Sequence, residues 1–336
     1  MTTQRRKTRR GTTVKSARVL TKADLSRAAQ KLRNWHKWGK DDEIGTLNYT
    51  QPEDIVTAAQ LVTQGKVYSL ALPFDQRGPQ GGVSNYPPLG RFNPIHLMIR
   101  TGTDAWAGAL DHRGIRTSDD VVILATQCGT QWDGLSHVFY ENTMWNGYDC
   151  REVSSFGAQK CGIEKTRDRM VGRGVLLDIA RMMGKESLPD GFAVTSAMLD
   201  EAEKRFGVTV RRGDFLLVRT GDIEARLKAG SWQGFAGGDA PGLSFETLNW
   251  LHKRRVAAVA TDTWGLEVRP NNSGDIVSPF HWISIPIMGL TLGEMFCLGE
   301  LATACAADGR YEFMFVAPAL PLTGAVASPI NPLAIK

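Results

Sequence analysis

Three observations predict an α/β fold in one large domain. The 336 residues are 42% apolar and 22% charged, an ordinary globular balance that excludes a disordered chain. Short β-rich runs alternate with helix-forming segments through the second half, the order expected when helices cover a sheet. No linker divides the chain, and no repeat or low-complexity block occurs beyond the N-terminal tail, so residues 23–336 read as a single domain. No run comes near the ~20 apolar residues of a membrane span. The apolar stretch from Trp282 to Met288 is short and is followed by Glu294, so it reads as core.

The elements follow in chain order. Residues 1–22 hold Arg5, Arg6, Lys7, Arg9, Arg10, Lys15, Arg18 and Lys22 and no acid, so the net charge of +5 belongs to this tail and the body is mildly acidic. A basic tail without apolar periodicity reads as a solvated arm, with a targeting or polyanion-binding role as the alternative. Helical composition marks 23–34, and the polar, Gly-containing segment 38–48 reads as a loop. Thr50 can cap a helix with Pro52 in its first turn, Glu53 and Asp54 at its positive end and Gly65 as its stop. Strands are predicted at 67–72, 95–100 and 121–126, each bounded by turn residues. Further on, an apolar run at 174–180 precedes a helix over 196–206, capped by Thr195 and ended by Gly207. A strand at 214–220, a short helix at 223–229 and a helix at 245–254 capped by Ser244 come next. Strands at 256–261 and 311–317 enclose a helix placed near 294–306, and the Gly-rich stretches 78–90 and 230–242 read as long loops near a site.

The chemistry-bearing residues are few. No GxGxxG follows a strand, and neither a P-loop nor a GxSxG elbow occurs, so dinucleotide, nucleotide and serine-hydrolase functions start low. Five cysteines, odd in number and without CxxC spacing, point to reduced thiols and a cytoplasmic location. The densest polar cluster is QCGTQWDGLSH at 127–137, which a strand ending at Thr126 would deliver to one end of the sheet. Gln127, Gln131, Asp133 and His137 there can serve a metal or proton transfer, or can simply make a capped turn with a satisfied histidine. His281 and Glu294 flank the apolar stretch, where each is costly unless paired or bound to a cation. Arg91, Arg100 and Arg269 read as surface residues, with a substrate carboxylate as the alternative partner.

The order WG…DEIGTLN (38–48), QCGTQWDGLSH, GDFLLVRTG (213–221), TDTW (261–264), His281 with GLTLGE (289–294) and SPINPLAI (328–335) resembles the cyclase-family metal-dependent hydrolases. That family includes bacterial kynurenine formamidase, isatin hydrolase and trans-dienelactone hydrolase, and the chain is similar to a branch carrying QCGTQWD. The likeness covers nearly everything after the tail. It implies a swivelling β/β/α single domain, a homodimer or homotetramer, and a divalent metal, zinc or manganese. It further implies that Asp133, His137, His281 and Glu294 match the family's ligands, while Gln127 and Gln131 replace its first two histidines and Leu135 its proline.

Glutamine coordinates only through a neutral carbonyl oxygen, a poorer zinc ligand than imidazole. Two outcomes follow. Asp133, His137, His281 and Glu294 can hold a single ion, or Gln127, Gln131 and Asp133 can take an oxygen-preferring ion and free His137 and His281 for proton transfer. The resemblance implies a hydrolase that opens a C–N or C–O bond of a small cyclic amide, lactone or formamide with metal-activated water. A metal-dependent lyase or cyclase acting through an enolate, and a metal-free small-molecule-binding protein, are the alternatives. Trp38 and Tyr140 are the aromatic candidates for substrate contact. A small-molecule substrate is expected, with no membrane and no nucleic-acid partner.

Overall fold

The computed structural model describes residues 19–81, 90–274 and 276–336, so most of the basic tail lies outside the described residues. At its described end the Leu20 N–H donates to Asn272 O, and Thr21 caps the first helix in a reciprocal box with Asp24.

In chain order the main elements are α1 (Lys22–Leu32), α2 (Pro52–Ala59), β1 (Val67–Ser69), β2 (Ile95–Arg100), α3 (Gly102–Trp106), β3 (Asp119–Ile123), β4 (Gln131–Asp133), β5 (Val153–Ser154), β6 (Gly157–Ala158), β7 (Val171–Asp178), α4 (Ile179–Met182) and β8 (Ala193–Val194). They continue with α5 (Ser196–Phe206), β9 (Phe215–Arg219), α6 (Asp222–Ala229), β10 (Gly242–Leu243), α7 (Thr247–Arg254), β11 (Ala258–Thr261), α8 (Pro279–Ile283), β12 (Thr291–Glu294), α9 (Gly299–Asp308), β13 (Glu312–Val316), β14 (Ala327–Pro329) and β15 (Leu333–Ile335).

One mixed sheet organises the fold, in the order β1-β15-β13-β7-β9-β11-β12-β4-β14. Its centre, β7-β9-β11-β12, is parallel, and both flanks are antiparallel. A parallel centre must be covered on both faces, and its strands accordingly read as unbroken apolar runs. Leu176, Leu217 and Val259 are all fully buried. Helices α2 and α5 pack on β7, while α1 packs on α7 and α8.

Most predicted elements occur, with three corrections. Helix α2 ends at Ala59 rather than near Gly65, and Gln51 with Asp54, not Thr50, makes its cap; the Thr50 hydroxyl donates instead to Gly213 O. Ser244 does not cap α7, which starts at Thr247 after Glu246. Glu294 ends strand β12, and α9 begins only at Gly299. The GLTLGE run extends because it pairs with β11 on one side and β4 on the other, tertiary contacts that outweigh local propensity.

Strands β2 and β3 form a separate two-stranded hairpin whose residues are almost all exposed. The polar cluster is therefore not delivered by a strand of the main sheet ending at Thr126. Its own residues Gln131–Asp133 are the strand that enters that sheet.

Candidate metal centre

Side chains alternate along β4, so Gln131 and Asp133 share one face and Trp132 takes the other. Trp132 is buried and donates its indole N–H to Ala317 O at 2.8 Å. Across the ladder Gln131 faces Glu294 and Trp132 faces Gly293. A Cβ on Gly293 would lie 2.6 Å from both the Trp132 ring and the Ala260 methyl, so only glycine lets the indole close over β12. That close approach holds Glu294 beside Asp133 and Gln131 on the opposite face.

His281 reaches the same point from α8, a single turn oriented by Glu267. The buried Glu267 carboxylate accepts the backbone N–H groups of Phe280 and His281 at 3.1 and 3.2 Å and bonds His281 Nδ1 at 2.5 Å. A carboxylate on Nδ1 places the proton there and turns Nε2 towards Glu294 Oε1, 3.2 Å away.

Ligand atoms of Asp133, His281 and Glu294 lie within 4.8 Å of one another, and all three residues are buried. Two carboxylates forced together in a dry site repel unless a proton or cation joins them. Burial, with Asp133 beside it, pushes the Glu294 carboxyl up to about 7. Burial alone would lower the His281 pKa, but the bonds to Glu267 and Glu294 outweigh it and raise the imidazole to about 10. Gln131 spans the carboxylates through its amide nitrogen, 3.2 Å from Asp133 Oδ1 and 2.9 Å from Glu294 Oε2, and its carbonyl oxygen is buried without a partner. Two anionic oxygen donors, one correctly presented imidazole and an orphaned amide oxygen fit a divalent cation.

His137 stands at the margin of this cluster, its Nε2 3.8 Å from Asp133 Oδ1. Burial holds its pKa below the ordinary value against the pull of Asp133. Gln127 accepts the Thr126 hydroxyl at 2.9 Å, which orients its amide nitrogen towards His137 Nδ1, 3.3 Å away. The neutral ring then carries its proton on Nε2.

A cavity of about 290 Å³ opens over Asp133, His137, His281 and Glu294, lined also by Arg91, Arg269, Trp264 and Trp282. Trp38 and Tyr140 are not in this lining. The Trp38 ring packs edge-on against Tyr49 at 5.0 Å, and Tyr140 bridges to Thr143. Glu267 and Trp264 escaped sequence reasoning. The available signal for Glu267 was a lone carboxylate in the apolar run Leu266–Val268, and Trp264 stood in the TDTW block. A larger depression of about 790 Å³ lies at the carboxyl ends of β7 and β9, but Arg219 there is paired with Asp178 and Glu224, and Lys228 with Glu186.

The other sequence blocks are scaffold. Asp262 of TDTW accepts the Thr220 N–H and hydroxyl and the Gly221 N–H, which ties that block to the end of β9. Gly45 of DEIGTLN has φ +57° and sits so close to Gly289 O that a Cβ would lie 2.1 Å from it.

A mixed sheet that carries a carboxylate–imidazole cluster on the face of its β4–β12 ladder defines a cyclase-type fold. The sequence model of the cyclase family matches residues 50–268, and the chain belongs to that family. It is 40% identical to a protein of known structure described as a novel cyclase, at a TM-score of 0.81, over 91% of this chain and 100% of that one. Isatin hydrolase A from Labrenzia aggregata shares the fold at 18% identity and a TM-score of 0.60, over 84% of this chain and 97% of that one. The Ralstonia solanacearum isatin hydrolase A does so at 16% and 0.59, over 80% and 91%. No curated protein matches this chain.

Proposed function

We propose that the chain is a metal-dependent hydrolase opening a C–N or C–O bond of a small cyclic amide, lactone or formamide. The observation that carries this reading is the convergence of buried Asp133, His281 and Glu294 within 4.8 Å on the floor of a cavity. A cavity near the lower end of the usual range of roughly 300–1,000 Å³ suits a small substrate.

Asp133, His281 and Glu294 are the ligands, with the carbonyl oxygens of Gln131 and Gln127 as further donors. Zinc or manganese held there would polarise a substrate carbonyl and bring the pKa of water from about 16 to about 7. Glu267 keeps the His281 proton on Nδ1, which commits that ring to binding. His137 is left as the proton-transfer group, with Nε2–H as the donor to the leaving nitrogen or oxygen. Trp264 and Trp282, which line the cavity, offer flat faces to the substrate, whereas Trp38 and Tyr140 are not among the lining residues. Five unbridged thiols favour a reducing compartment, the cytoplasm. No helix among the described residues is long and apolar enough to cross a membrane.

Metal content by mass spectrometry, on protein purified without a tag or chelator, tests the reading first. About one equivalent is expected, lost in Asp133→Asn and His281→Ala together with activity towards lactones, cyclic amides or formamides. Retained metal and full activity in both variants would overturn it. Oxygen-18 water separates hydrolysis, which incorporates solvent oxygen, from lyase or cyclase chemistry.

A further inference from the structure

We infer that the substrate of this site carries an anionic group, a carboxylate, held by Arg269 and Arg91 on the cavity wall. The inference rests on the hydrolase reading for the position of the reacting carbonyl, but its evidence is the charge and geometry of the wall.

A divalent cation would offset the Asp133 and Glu294 carboxylates, so with His281 neutral the floor keeps one negative charge, on Glu267 behind that ring. The wall carries two positive charges. Arg269 and Arg91 both line the cavity, and neither makes an ion pair with a carboxylate among the described residues. Elsewhere the fold pairs its enclosed arginines closely. Arg173 meets Asp214 and Glu312 at 2.7 and 2.6 Å, and Arg219 meets Asp178 and Glu224 at 3.0 and 3.2 Å. Two half-buried guanidiniums in one small cavity repel each other, and although Glu294 attracts Arg91 across the floor, neither has a carboxylate hydrogen-bonded to it among the described residues, a cost that an anionic ligand would remove.

Arg269 is also built for the task. Its backbone is fixed by reciprocal hydrogen bonds with Ala240, both 2.9 Å. Its guanidinium stacks on Trp264 at 4.7 Å, and Nη2 donates to Ser278 Oγ at 2.8 Å. Nε is buried and has no partner. A guanidinium has five N–H donors in a planar fork, so this arrangement holds the plane in place and leaves an edge for a carboxylate. Arg100, the third arginine singled out in the sequence, pairs with Asp119 on the exposed hairpin and has no part in the cavity. Trp264, Trp282, Val138 and Val277 supply apolar lining, so the ligand that fits is a flat acid.

The test is calorimetric titration of the full chain with benzoate and with its neutral isostere benzamide, zinc-loaded and again after dialysis against chelator. Benzoate is expected to bind at least about tenfold tighter than benzamide with or without zinc, as befits a charge-assisted bidentate contact. In Arg269→Gln the preference falls to about threefold or less while benzamide affinity stays unchanged, and Arg269→Lys, which keeps the charge but not the fork, lies between. Arg91→Gln reduces the preference as well and serves if Arg269→Gln does not fold, which thermal melts of each variant establish. A preference seen only with zinc places the carboxylate on the metal and overturns the inference, as does one unchanged in both glutamine variants. Failure to take up zinc with the benzoate preference intact overturns the hydrolase reading and leaves the anion site standing.

Discussion

At the residue scale the determinant is Glu267, which touches no ligand-facing atom of the cavity floor but sets the tautomer of His281. A carboxylate behind a ligating imidazole commonly accounts for about 10–100-fold in metal affinity, so Glu267→Gln should weaken zinc binding by that factor in a competition titration with a chelating dye. An unchanged affinity would make Glu267 merely the cap of α8. Protons compete for the same site. Zinc requires a neutral imidazole and an ionised carboxylate, whereas His281 is raised to about 10 and Glu294 to about 7 in the metal-free chain. Binding therefore expels protons, and affinity should rise about tenfold per pH unit for each proton displaced as pH goes from 6 to 8. The linked stability has the opposite sign. The imidazole's raised pKa stabilises the metal-free fold fully below its ordinary 6.5, and that contribution disappears as pH rises through about 10. Titrations at several pH values check the slope; a flat profile would mean that His281 is already unprotonated.

At the element scale the β4–β12 ladder carries both the core and the chemistry, one on each face. Trp132 and Gly293 occupy the core face, and their contact fixes the spacing at which Glu294 meets Gln131. Gly293→Ala pushes a methyl into the indole and into Ala260, an overpacking expected to cost about 1–3 kcal/mol in urea unfolding and to reduce metal occupancy with it. Lost stability with full occupancy would separate the two faces. The misplaced helix over 294–306 belongs to the same ladder. Residues 289–294 carry no strong strand signal, since glycines flank the apolar pair, and they extend only because β11 and β4 supply hydrogen bonds on both sides.

At the scale of the whole molecule, the β2–β3 hairpin stands apart from the sheet. Ile95 and Leu97 share a face with Val121 and Ile123 through the pairs Ile95↔Ile123 and Leu97↔Val121, and all four are exposed. An isolated two-stranded ribbon is marginal in water, and this apolar face suits burial in the homodimer or homotetramer that the family resemblance implies. Light scattering should give a mass of two or four chains, and Leu97→Lys with Val121→Lys should shift it to one; a monomeric parent chain would overturn the assembly. The hairpin is rooted beside the cavity, between Arg91 and Gln127, so the same variants should be checked for altered ligand binding.

Local pattern determined much of this molecule. Apolar runs, caps and glycine stops mark β7, α5, β9, α6 and β11, because a central strand buried on both faces and a capped amphipathic helix each write their period into the chain. The order of short motifs pointed to the family, Asp133 stood in the densest polar cluster, and His281 and Glu294 stood out as polar residues flanking an apolar stretch. Only the tertiary structure decided that Gln131 and Asp133 lie on a strand, that Glu267 backs His281, and that Trp264 and Trp282 rather than Trp38 and Tyr140 face the cavity. Residues 131, 281 and 294 come from β4, α8 and β12 and meet residue 267 of the segment between β11 and α8, and such a meeting is set by sheet register and by close approaches at single glycines, which no local periodicity encodes.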